Sequence, residues 1–217
     1  MDYLFELQIF GLIFQLITAI VGSIYFYKYK NTVLKYFLIV LWYVGINDIL
    51  GLILKNYFNF ESVTIIYNIY YLVVFSYFMF LFKNYVSNTN RKKWIFIFIV
   101  IYILSLFINS FIEDYLEEVA TAPYIIGASF VIISIIFYYI DILNSEKVLY
   151  VNKNLLFWIS IGVLIYYAGN IPFRIVRNYV GELIDASIQY MVLLILTFVM
   201  NTCFIIGFIW SSKKQQY

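Results

Sequence analysis

Asp48 stands inside an apolar run, next to Asn47, in Gly45-Ile46-Asn47-Asp48-Ile49-Leu50. A lone carboxylate well inside a membrane span costs roughly 2.5–3.5 kcal/mol on insertion scales. Its presence therefore asks for a compensating role. Two kinds of chemistry fit: a proton or cation site, or an anchor for a cationic ligand. Two quieter roles fit as well: a pair with Arg174, or a protonated acid hydrogen-bonded to Tyr or Asn. An Asp48→Asn substitution separates them, because it leaves a packing role nearly intact and abolishes a proton-coupled one.

Other polar side chains lie at comparable depth in the neighbouring apolar runs. Asn68 and Tyr71 enter one, Tyr167 and Asn170 a second, and Gln189 a third. Arg174 and Arg177 lie one turn apart beyond Pro172, which frees a carbonyl one turn back and can kink a helix. The arginines suit an anionic ligand, or they cap the span at the interface. The candidate ligand-binding set is thus Asn47, Asp48, Asn68, Tyr71, Tyr167, Asn170, Arg174 and Gln189. The same amides equally suit helix–helix glue, since interhelical hydrogen bonds in membranes contribute about 0.6–2 kcal/mol.

Catalytic chemistry has little footing. There is no His, and Cys203 is the single Cys. Disulfide and CxxC sites are excluded, and zinc and haem lose their commonest ligand. No phosphate loop or metal cluster is present. Asp48 and Asp141 lie at opposite depths, so an intramembrane aspartyl pair is excluded. No enzyme activity, cofactor or metal is expected.

The elements that must position these residues follow from composition. Of 217 residues, 65% are hydrophobic and 12% charged, against about 25% charged in soluble domains. Such a chain lacks the polar residues to cover a water-facing surface. An all-α, polytopic membrane protein of seven transmembrane helices is expected, as a single domain over 1–217. A span needs about 20 residues, and the apolar runs fall at 7–27, 33–54, 63–82, 94–112, 120–143, 155–173 and 184–210. The first has no preceding Lys or Arg, so it reads as a retained helix rather than a cleaved signal peptide.

Charge orients the helices. Lys28, Lys30, Lys35, Lys83, Arg91, Lys92, Lys93, Lys147, Lys153, Lys213 and Lys214 share one side, 11 of the 14 basic residues. Nine of the 12 acids share the other. The basic side is expected to be cytoplasmic, with the N-terminus outside, the C-terminus inside, and a cell (inner) membrane as the location. Most intramembrane polar residues then fall in the outer half, which predicts a polar, aromatic-lined cavity open to the outside. Lys28, Lys30, Lys35, Arg91, Lys92 and Lys93 form a basic inner face. It suits anionic lipid headgroups or a cytoplasmic protein partner; no nucleic acid is expected.

Helices 1–3 and 5–7 echo one another: Trp42-Tyr43-Val44-Gly45 against Tyr166-Tyr167-Ala168-Gly169, and Asn68-Ile69-Tyr70-Tyr71 against Ser187-Ile188-Gln189-Tyr190. This 3+1+3 topology resembles SWEET-type sugar transporters and similarly built vitamin transporters. Their Pro-Gln type pair is missing here, and Pro123 and Pro172 are the only prolines. A retinal protein is excluded, because no Lys lies between Ile184 and Trp210. Phe157-Trp158-Ile159-Ser160 leading to Tyr166-Tyr167-Ala168-Gly169, and Asn201 through Phe208-Ile209-Trp210, resemble seven-helix modules associated with bacterial sensor kinases. That resemblance implies a sensory, signalling or accessory role. Small-solute transport is the alternative, and an oligomeric membrane effector of a defence or toxin system a further one.

Overall fold

Backbone N–H and C=O groups in lipid must be bonded within their own segment, and the apolar runs meet that demand as helices. A computed structural model describes residues 2–57, 63–180 and 186–215. Seven long helices follow one another: α1 (Asp2–Ile24), α2 (Lys35–Tyr57), α3 (Thr64–Tyr85), α4 (Thr89–Asn109), α5 (Thr121–Leu143), α6 (Leu155–Val180) and α7 (Ala186–Trp210). All seven are long and apolar enough to cross a membrane, and no strand occurs among the described residues. This is the architecture of a multi-pass membrane protein.

Three boundaries differ from the sequence expectation by five residues or more. Helix α4 starts at Thr89, not Trp94, because Asn88 caps it: its side chain accepts from the backbone N–H groups of Asn90 and Arg91. That satisfies two of the orphan donors at a helix start and pulls Arg91-Lys92-Lys93 into the helix. Helix α6 continues through Pro172 to Val180, where the expected span ends at 173. Helix α1 begins at Asp2, five residues before the expected start at 7, and the other ends fall within about three residues of expectation.

The chain divides into two compact units, one formed by the chain up to Gly45 and from Leu149 onward, the other by Ile46–Val148. The first holds α1, α6, α7 and the start of α2. There α6 and α7 pack closely through small residues, the usual device where lipid supplies no hydrophobic drive between helices. A Cβ on Gly162 would come within 2.9 Å of the Met200 carbonyl oxygen. Phe14 of α1 stacks on Phe198 of α7, with ring centroids 4.6 Å apart. Tyr29, Phe37, Phe204 and Phe208 close the basic end of this unit as an aromatic plug, and the buried Tyr29 hydroxyl donates to the Gly22 carbonyl at 2.7 Å.

In the second unit α3, α4 and α5 pack on one another as an antiparallel trio. Its centre is a knot of rings. Phe75 meets Tyr102 and Tyr124 edge-on at 5.6 and 5.2 Å, and Tyr71 meets Tyr124 at 4.8 Å. Gly127 makes the room: a Cβ there would lie 2.7 Å from Phe75 and 2.8 Å from Tyr102.

Candidate functional site

Asn47, Asp48, Asn68 and Tyr71 belong to the unit containing α3–α5, and Tyr167, Asn170, Arg174 and Gln189 to the unit containing α6 and α7. Each group is built by its own helices.

Asn47 and Asp48 ride on α2. Asn47 is only 6% exposed, and its side-chain Nδ2 is buried with no acceptor among the described residues. Asp48 is half-buried. One turn further along the same α2 face, the Tyr67 side chain of α3 reaches Gly51: a Cβ on Gly51 would sit 2.9 Å from the Tyr67 hydroxyl. Asn47 lies one turn inward from Gly51 on α2, and Tyr71 one turn inward from Tyr67 on α3. Beside this side-chain approach of α3 to α2, Tyr71 packs edge-on to Tyr70 at 5.2 Å.

Asn68 is committed elsewhere. Its Nδ2 donates to the carbonyls of Tyr115 and Glu118 at 3.1 and 3.0 Å, and its Oδ1 accepts from the Ala120 N–H at 3.0 Å. Every bond it makes goes to the α4–α5 connection. That connection is further tied by the Tyr115 hydroxyl, which donates to the Leu106 carbonyl at 2.7 Å, and by Asn109, which donates to Glu113 at 2.8 Å. Burial raises the Tyr115 pKa; the Asn109 hydrogen bond opposes the shift and Glu113 adds to it.

In the other unit, Tyr167, Asn170 and Arg174 follow at spacings of three and four and therefore share one face of α6. Tyr167 and Asn170 are buried and Arg174 is half-buried. Gln189 belongs to α7, but its side chain, like that of Arg177, lies outside the described residues.

The basic residues divide by role. Lys28 caps α7: its Nζ donates to the Phe208 and Ile209 carbonyls, both at 2.8 Å, where a cation also meets the negative end of the helix dipole. Burial, and secondarily Lys153, lower its pKa. Arg91 pairs with Asp141 of α5, which also accepts from the backbone N–H groups of Ser87 and Asn88. Lys35 lies over the Tyr36 ring. Lys30 and Lys93 are exposed and Lys92 half-buried.

Sequence reasoning missed three features. The buried Tyr102 hydroxyl has no partner among the described residues, and nothing marks it out from the chain's other tyrosines. Gly51 was legible only as a small residue one turn from Asn47. Lys83 and Thr89 line a groove with Lys92 and Lys93, a grouping hidden while α4 was expected to begin at Trp94. No group of three or more metal-ligating side chains occurs among the described residues. No protein-family model, curated protein or solved structure matches the chain.

Proposed function

We propose that this chain is a multi-pass protein of the cell (inner) membrane that works as a sensory, signalling or accessory module. Its N-terminus lies outside and its C-terminus in the cytoplasm, a reading supported by the placement of 11 of its 14 basic residues on one side. It takes a small polar ligand from outside at the α2–α3 approach and passes the change to a protein partner at the basic inner face.

The observation that carries this reading is the Asn47 amide. A buried donor without an acceptor costs about 1–3 kcal/mol, and native interiors seldom tolerate one without a reason. Here it lies one turn along α2 from Gly51, which the Tyr67 side chain reaches. A ligand carbonyl, carboxylate or hydroxyl supplies the missing acceptor. Small-solute transport on the 3+1+3 plan has less support. That plan bundles helices 1–3 and helices 5–7, whereas here α3 packs with α4 and α5, and α1 with α7.

The test uses the single cysteine. In a Cys203→Ser background, Asn47→Cys, Glu117→Cys and Lys213→Cys are each exposed to a membrane-impermeant maleimide from one side of sealed vesicles. Glu117→Cys and Asn47→Cys are expected to react from outside, and Lys213→Cys only from inside. Silence at Asn47→Cys beside a reactive Glu117→Cys removes the outward site. Reaction at Asn47→Cys from both sides replaces sensing by transport.

A further inference from the structure

We propose that the groove between the end of α3 and the start of α4 binds an anionic phospholipid, with the phosphate held by Lys83, Lys92 and Lys93 and an acyl chain laid along α4. This goes beyond the reading above: the groove shares no residue with the Asn47 amide, and of the basic inner face it takes Lys92 and Lys93.

The groove has a volume of about 430 Å³ and is lined by Lys83, Thr89, Lys92, Lys93, Phe96 and Ile97. Five of these six belong to α4 at positions 89, 92, 93, 96 and 97, the three-and-four spacing of one helix face. The sixth, Lys83, comes from the last turn of α3 and holds its Nζ 4.7 Å from the centre of the Phe96 ring. No carboxylate lines the groove. Arg91 is turned away from this group by its pair with Asp141, so the basic run splits into one structural cation and two that remain for a ligand. Three lysines border the groove with no acid among its lining residues, and an anionic head supplies the missing counter-charge.

The floor decides which anion. Phe96 is 54% and Ile97 40% exposed, and the stripe continues along α4 through the exposed Val100, Ile101 and Leu104. A free phosphate makes no use of this apolar surface. An amphiphile with an anionic head uses both parts: head on the lysines, chain on the stripe. The level is right as well. The groove lies at the end of two candidate spans, beside the exposed Trp94, a residue type enriched where headgroups meet the hydrocarbon. Lysines of this kind run their stems along apolar surface and leave the charge at the interface.

The purified full chain in a mild neutral detergent is titrated with phosphatidylglycerol, phosphatidylcholine or inorganic phosphate, and bound lipid is counted by native mass spectrometry. Phosphatidylglycerol is expected to be retained preferentially, and millimolar inorganic phosphate not to displace it. The triple variant Lys83→Gln/Lys92→Gln/Lys93→Gln is expected to weaken retention about tenfold or more, as basic residues at a membrane surface each contribute about 1 kcal/mol. The triple variant Lys30→Gln/Lys213→Gln/Lys214→Gln removes the same charge elsewhere and is expected to leave retention within about twofold. Equal retention of phosphatidylcholine by the unaltered chain overturns the proposal without any variant. Displacement by inorganic phosphate makes the groove a site for soluble anions, and equal losses in the two triple variants reduce it to general surface charge; either result overturns the lipid site.

Discussion

Asn68 donates twice and accepts once, and all three bonds reach backbone groups of the α4–α5 connection. Its side chain, first read as a ligand contact, is spent on the fold. Asn68→Ala should therefore destabilise the protein by about 2–4 kcal/mol, from three lost bonds of roughly 1 kcal/mol each plus backbone groups left unmatched. The loss is read as a lower unfolding midpoint in detergent, with faster proteolysis near Glu117. Asn68→Asp should recover only part of it, because a carboxylate accepts from the Ala120 N–H and donates to neither carbonyl. Asp141 does the matching work at the other end of the same trio, holding Arg91 and the backbone of Ser87 and Asn88. Asp141→Ala leaves a partly buried guanidinium unpaired and should cost about 3 kcal/mol or more, whereas the double change Asp141→Ala/Arg91→Ala should cost less than the sum of the two single changes. A thermal-shift double-mutant cycle reads that difference.

Helix contacts make finer distinctions. Gly162 and Gly169 are both crowded, but by different neighbours: a Cβ on Gly162 meets the Met200 carbonyl oxygen, and one on Gly169 meets the side chain of Leu196. A side chain changes rotamer where a helix backbone must move. Gly162→Ala should therefore lower the unfolding midpoint more than Gly169→Ala, with a cost of about 1–3 kcal/mol for the overpacked backbone. Equal effects in the two variants would mean that the helices separate freely. The helices themselves were legible, since a stretch of about 20 apolar residues has few alternatives in lipid. The start of α4 was not, because a basic run reads as a loop until the Asn88 cap and the habit of lysines to run along apolar surface are taken together. The site was legible only in part. Asn47 stood out as an amide in an apolar run and is indeed left unmatched among the described residues. Asn68 looked the same in sequence, yet its partners are main-chain groups 47 to 52 residues away, and main-chain partners leave no trace in residue type.

For the whole molecule, the proposed orientation rests on the scarcity of Lys and Arg at the acid-rich end, where the α4–α5 connection lies, against their abundance at the other. Replacing Glu113, Asp114, Glu117 and Glu118 by Lys would put four cations on the side that now holds three. Correctly oriented chain should then accumulate to a lower level, measured by protease protection of a tag on the C-terminal tail. Unchanged accumulation and protection would show that charge does not set the topology. The two clamps of the α3–α5 trio also set a timetable. Arg91 leaves the ribosome 50 residues ahead of Asp141, and Asn68 about as far ahead of its own partners. At about 5–20 residues per second, that is a wait of roughly 3–10 s. Through that interval a cation and an amide at opposite ends of a growing hairpin have no intramolecular partner. Whatever escorts the nascent chain into the bilayer must offer a polar refuge to the amide until the α4–α5 connection arrives, and to the cation until the end of the fifth helix does.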